Sequence, residues 1–421
     1  MAATAADGKP VPVPVPATAG EPVRATALRH QLAELRGPSA VPHPMDARAL
    51  AALAANPGCR RRALLDGAGV DKGALARALG APAPFGQSQF AHQRGNTFEA
   101  HVKADRGALL TRLLHERLAD GSAAPDPDTT ATPELTAAGP QGRTARTALA
   151  LREATSAGRW ALLDHPMVSL DVAGSPAFLE PDAVVVHPDG SWTVVEIKSF
   201  PMVDGAADPA KVGAAARQSA VYALALERIA AHLGEVTEGP EGKQEGVRAR
   251  VRHQVLLVCP KDFSNLPTAE LVDVRKQLAV TRRQLGRLTR IEEIAAALPE
   301  GTTFDLRLTE DGQTATRPVG ELTAAVESVD AAYAPECLST CELSLHCRER
   351  ARAAGAVESL GRGVRGDLGG LTTVEAVLAA ALESGGPEPT GDPAVDTLRR
   401  AAALRAEALA TAARPAEGVC R

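Results

Sequence analysis

The stretch FLEPDAVVVHPDGSWTVVEIKSF, residues 178–200, constrains the fold more than any other part of this chain. Two β-branched runs separated by HPDG predict a β-hairpin, with Asp182 on one strand and Glu196 and Lys198 on the other. Side chains two apart on a strand share a face, so Glu196 and Lys198 project together, and pairing across the turn can bring Asp182 beside them. A run this apolar accepts an Asp, a Glu and a Lys only if their desolvation is compensated. Two converging carboxylates suit a hard divalent cation, Mg²⁺ or Mn²⁺, which lowers the pKa of a bound water and neutralises charge developing on a phosphate. An ordinary hairpin carrying a solvated Glu–Lys ion pair is the alternative. The chain supplies its own controls: Pro-Asp recurs at Asp126, Asp128 and Asp189, and Glu-x-Lys at Glu241 and Lys243, none of them in an apolar strand.

Around the hairpin the pattern is mostly helical. Apolar residues make up 45% of the chain and aromatics only 3%, so helices packing through small residues are expected. Periodicity predicts helices over 45–56, just after Cys59, over 95–118, 211–233, most of 268–298 and 319–331, with a hairpin between the last two. RVRHQVLLVC, ending at Cys259, reads as a further strand. Residues 1–25 read as a disordered tail and 119–145, rich in Pro, Gly and Thr, as a linker loop. The fold class is therefore α/β, a mixed central sheet flanked by helices with helical N- and C-terminal extensions. No apolar stretch approaches the ~18 to 20 residues that span a bilayer and no signal peptide is apparent, so a soluble, cytoplasmic protein without a membrane partner is expected. The net charge of -5 excludes a uniformly basic surface but leaves room for a local basic groove. No phosphate-cradling GxxxxGK[ST] is present, which argues against an ATP motor in this chain.

Six cysteines in a long chain without a secretion signal argue against a disulfide framework. Cys337, Cys341 and Cys347 follow a C-x₃-C-x₅-C pattern, and Cys59 stands far upstream beside Arg60, Arg61 and Arg62. Four thiolates suit either a 4Fe–4S cluster or Zn²⁺, with His346 as a substitute zinc ligand. Cys259 reads as a buried core thiol and Cys420 as free. The three arginines, with Arg348 and Arg350, would gather beside such a cluster to meet phosphates, or else form a solvated helix surface. The few aromatics leave little for a base-stacking platform.

PD followed by VVEIK on the next strand resembles the PD-(D/E)XK nuclease superfamily, with Asp182, Glu196 and Lys198 at its motif positions. Gln218 and Tyr222, four apart and so on one helix face, resemble the Q-x-x-x-Y signature of the RecB-like exonuclease branch, where the pair contacts the substrate strand. The usual G-x-x-x-H upstream is here Gly95 to Glu99, so the resemblance makes Glu99 an oxygen ligand in place of histidine; His101 is the weaker substitute. One cysteine before these motifs and three after them look like the iron–sulfur staple of AddB-type and CRISPR-associated RecB-like nucleases. The resemblance covers roughly residues 56–350. It implies a restriction-endonuclease-like core over 146–335, preceded by a helical region over 26–118 that holds Cys59 and Glu99. A cysteine segment at 336–350 and a helical extension at 351–421 follow.

What the resemblance implies is DNA phosphodiester hydrolysis, with Glu99, Asp182, Glu196 and the Ile197 carbonyl as the candidates for metal binding. Lys198 would steady the attacking water, and Cys59, Cys337, Cys341 and Cys347 would hold the cluster. DNA is the implied partner, together with a helicase or second nuclease subunit, in repair or phage defence. The competing expectations are a catalytically silent DNA-binding scaffold subunit and a zinc-stabilised regulatory protein.

Overall fold

The computed structural model describes residues 21–83, 89–235, 249–262, 264–310, 314–383 and 390–412. The first part of the expected tail and Cys420 lie outside these residues. The chain begins with helices α1 (Glu21–Arg36), α2 (Ala47–Ala55), α3 (Arg60–Ala68), α4 (Lys72–Ala78), α5 (Gln89–Val102), α6 (Ala104–Leu118) and α7 (Gly139–Ala157). Strands β1 (Ala161–Asp164), β2 (Val168–Val172), β3 (Ser175–Leu179), β4 (Ala183–Val186) and β5 (Ser191–Ile197) follow. After α8 (Pro209–Glu235) come β6 (Arg250–Val251), β7 (Gln254–Pro260) and β8 (Pro267–Asp273). The remainder is helical: α9 (Arg275–Leu285), α10 (Ile291–Ala296), α11 (Val319–Glu327), α12 (Ser344–Ala353), α13 (Arg362–Asp367), α14 (Val374–Leu382) and α15 (Pro393–Ala412). No helix of the described residues is long and apolar enough to cross a membrane.

A six-stranded sheet in the order β1-β4-β5-β7-β8, with β6 also on β5, forms the centre. The HPDG hairpin forms as the sequence predicts, pairing Ala183 with Val195 and Val186 with Trp192. β7 runs parallel to β5, a geometry that requires a long crossover, and α8 provides it. Every residue of β5 is buried, because both faces of the sheet are covered. Val184, Val186, Trp192 and Val194 face the larger core with α2, α7 and α8, whereas Ala183, Val185, Val195 and Ile197 face Phe98, Val102, Leu110 and Leu114 of α5 and α6. A separate two-stranded sheet pairs β2 with β3.

Four expectations need correction. The single helix over 95–118 is broken at the start of α6, where Asp105, Arg106 and Gly107 all have positive φ. Gly107 lies so close to the sheet that an added Cβ would come within 2.0 Å of Leu162. The break lets two short helices, rather than one straight rod, lay apolar residues on the same sheet face. Gly107→Ala is expected to cost about 2 kcal/mol or more, read as a lowered urea midpoint, since both the backbone and the packing oppose a side chain. Residues 268–273, the start of the helical stretch expected over 268–298, instead belong to β8, because pairing with β7 overrides local propensity. Between α10 and α11 the expected hairpin reduces to the single bridge of Leu308 with Ala315 among the described residues. The predicted linker ends at α7, which already starts at Gly139.

The turn also carries a pH response. His187 is buried, packs at a tilt against Trp160 with ring centroids 4.7 Å apart, and shares a hydrogen bond with Thr193 Oγ1 at 2.8 Å. Burial lowers its pKa to about 4, so the unfolded chain binds the extra proton first. Stability from this group is complete above the unfolded value near 6.5 and is lost as pH falls towards 4. The expected loss is up to roughly 3 kcal/mol. Urea titrations at pH 7 and pH 5 check this, and His187→Gln should flatten the difference.

Candidate active site and cysteine centre

Asp182 precedes β4 by one residue, and continuing the hairpin register sets it opposite Glu196. Its Oδ2 accepts a 2.6 Å hydrogen bond from the Ile197 amide, which fixes the carboxylate at the end of the strand pair. Glu196 is 1% exposed and faces α8, where Ser219 Oγ donates to its Oε2 at 3.5 Å. Its Oε1 pairs with the Lys198 ammonium but forms no hydrogen bond of regular geometry. Burial pushes the Glu196 carboxyl up to about 7; Lys198 draws it down and Asp182 adds to the rise. Burial likewise raises Asp182. Burial would lower Lys198, but Glu196 and Asp182 more than offset it and hold the ammonium above its ordinary range. Three side chains singled out in the sequence thus meet at one point.

Glu99 is brought close enough to Asp182 to raise its pKa, yet its own carboxylate is engaged elsewhere. It pairs with Lys103 at 2.6 Å and with His165 at 3.0 Å. The His165 hydrogen bond, with Lys103, pulls Glu99 down to about 2 against burial. The sequence reading missed both partners. Lys103 was detectable as the residue four beyond Glu99 on a helix. His165, in the loop after β1 with φ +45°, carried no local signal.

Gln218 and Tyr222 share a face of α8, as their spacing predicts. Gln218 Nε2 donates to the Tyr222 hydroxyl at 3.0 Å, and that hydroxyl donates to the Glu180 carbonyl at 3.2 Å. Tyr222 is 4% exposed, and burial keeps its phenol protonated. It therefore anchors Gln218, which lines the open groove beside Lys198.

The residues present fit a hard cation in one specific sense. Mg²⁺ is commonly held by only one or two carboxylates, completed by water and substrate phosphate. Asp182 and Glu196 supply such a pair, with an Oε1 lacking a regular hydrogen bond. Among the described residues, no three His, Cys, Asp or Glu side chains close around a common point.

Cys59, Cys337, Cys341 and Cys347 are all buried, free thiols. Cys347 is near enough to Cys59 and Cys337 for both to raise its pKa, and Cys341 feels Cys347 in the same way. Burial is the leading cause in each case, and it takes Cys341 up to about 12. Two N–H donors reach the sulfurs: Arg61 Nη1 to Cys347 at 3.2 Å and Asn56 Nδ2 to Cys337 at 3.3 Å. Arg61 and Arg62 are therefore not presented to phosphates. Arg61 also bonds the Val329 carbonyl, while Arg62 bonds Asp66 and the Thr340 carbonyl. Arg60 pairs with Asp330 at 3.5 Å and Arg350 with Glu327 at 2.5 Å. Lys72 joins Asp66 at 2.5 Å, closing a buried charged network beneath the cysteine segment. His346 is buried, its Nε2 lacking a hydrogen bond. Cys259 packs with Met202, Ala215 and Leu257 in a separate small core.

Comparison with family models, with curated proteins and with solved structures gives no match.

Proposed function

We propose that the chain is a Mg²⁺- or Mn²⁺-dependent DNA nuclease with a restriction-endonuclease-like core and a 4Fe–4S cluster on Cys59, Cys337, Cys341 and Cys347. The observation that carries the reading is the convergence of Asp182, Glu196 and Lys198 at the end of a wholly buried strand, where a bare ion pair would have little reason to form. Asp182, Glu196 and the Ile197 carbonyl would hold the cation, with Glu99 joining once released from Lys103 and His165. The bound cation supplies an activated water and charge neutralisation at the phosphate. Lys198 orients the attacking water through its ammonium and stabilises negative charge on the phosphoryl oxygens. Gln218, braced by Tyr222, positions the strand.

The proximity of Cys347 to Cys59, Cys337 and Cys341, drawn from two distant segments, with N–H donors on two sulfurs, supports the cluster. The first test is cleavage of end-labelled single- and double-stranded DNA by anaerobically purified protein, with Mg²⁺, Mn²⁺ or EDTA. Cleavage that requires the cation is expected. Protein with a confirmed cluster that binds DNA but never cuts it would favour the silent scaffold.

A further inference from the structure

Two neighbouring arginines at the start of α3 are both buried, Arg61 at 7% and Arg62 at 5% exposure. Their partners differ. Arg62 has a carboxylate, Asp66, at 3.0 Å, and the exposed Arg60 before them has Asp330. No carboxylate of the described residues forms an ion pair with Arg61. Its guanidinium instead donates through Nε to the Val329 carbonyl at 3.1 Å and through Nη1 to the Cys347 sulfur at 3.2 Å. Its backbone amide donates to the Asp330 carbonyl. Main chain and side chain are thus both fixed to the segment that leads into the cysteine trio.

A buried cation without an anion is a costly arrangement in a fold. Neither a carbonyl nor a protonated thiol removes that cost, since neither carries a charge and sulfur is a weak acceptor. A metal-bound cysteine is a thiolate, and a hydrogen bond to an ionised acceptor is roughly twice as strong as a neutral one. Four thiolates outweigh the positive charge of an iron–sulfur core, so the assembled centre is a net anion placed where Arg61 lacks one. One-electron reduction makes that centre more negative still. A fixed cation on a ligand sulfur favours the reduced state, because its attraction grows with the charge it faces and burial keeps water from screening it. Asn56, which donates to Cys337 at 3.3 Å, supplies a second hydrogen bond without charge.

We propose that Arg61 is the resident counter-charge of the cysteine centre, holding the Cys347 thiolate and stabilising the reduced cluster over the oxidised one. The role rests on the iron–sulfur reading and adds to it the residue that sets the cluster's potential.

The test is a potentiometric titration of the anaerobically purified full chain, with dithionite as the one-electron donor. Visible absorption and electron spin resonance follow the oxidised and reduced cluster. Arg61→Gln keeps an N–H donor and removes the charge; it should disfavour reduction roughly tenfold, a fall of about 59 mV for one electron. Arg61→Lys keeps the charge and should recover most of that shift. Arg60→Gln, exposed and paired with Asp330, should change the potential far less. If the glutamine variant loses its iron, retention decides instead. Iron held by Arg61→Lys and lost from Arg61→Gln supports the counter-charge, and loss from both overturns it. An iron-loaded Arg61→Gln protein with the wild-type potential, or an equal fall in the lysine variant, overturns the role and leaves the cluster standing. Wild type that binds no iron overturns both.

Discussion

Metal-dependent cleavage is expected to fall by on the order of 10³-fold when Lys198 is replaced by alanine, while the fold persists. The ammonium is the only cation paired with Glu196 among the described residues, and it lines the open groove. A purely structural lysine would show itself in melting rather than in turnover, so both are measured. Removing it leaves Glu196 buried without its counter-charge, and the carboxyl then retains its proton to higher pH. The stability cost of the variant should therefore shrink as pH falls below about 7, where Glu196 is protonated in either protein. Activity lost equally at pH 6 and pH 8, with melting affected mainly at pH 8, is the expected pattern. Activity retained would remove Lys198 from the chemistry. Glu99→Gln distinguishes a different role. If its carboxylate leaves Lys103 and His165 to join the cation, the variant needs roughly 10- to 100-fold more Mg²⁺ for half-maximal cleavage.

Cys59→Ser should produce the second large effect: loss of the visible iron–sulfur absorption and a melting midpoint lowered by on the order of 10 °C. Cys59 stands at the N-terminus of α3, and its partners belong to a segment that closes a very long loop of chain. Tying such distant points together restrains the unfolded ensemble strongly. The fold already prepares the junction, since the Arg61 amide donates to the Asp330 carbonyl at 2.8 Å and Asn56 Nδ2 to the Ala332 carbonyl at 2.5 Å. Cys259→Ser, in its separate core, should keep the absorption. Colourless wild-type protein containing zinc would replace the cluster by the zinc alternative, with His346 as the next ligand to substitute.

Much of the candidate site was legible because it is local. The hairpin follows from β-branched runs around HPDG, and strand alternation alone sets Glu196 and Lys198 on one face. Gln218 and Tyr222 needed only helical spacing, although the engagement of the tyrosine with Glu180 was not visible from it. Arg61 and Arg62 illustrate the opposite case. Adjacent arginines beside a cysteine suggested either phosphate contacts or a solvated surface, and both side chains are instead buried against backbone carbonyls, a cysteine and Asp66. A charged residue's environment depends on what other segments bring to it.

The sequence by itself determined the paired strands, the crossover helix, the facing of the carboxylates and the clustering of three cysteines, because each depends on backbone periodicity over a few residues. Only the tertiary structure decided that β8 is a strand, that the helix after Gly95 breaks at Gly107, and that His165 meets Glu99. The groove beside Lys198 belongs to the same group, for its walls come from α2, α5 and α8. Local periodicity specifies which face a residue occupies; the partner on that face is selected by packing across the whole chain.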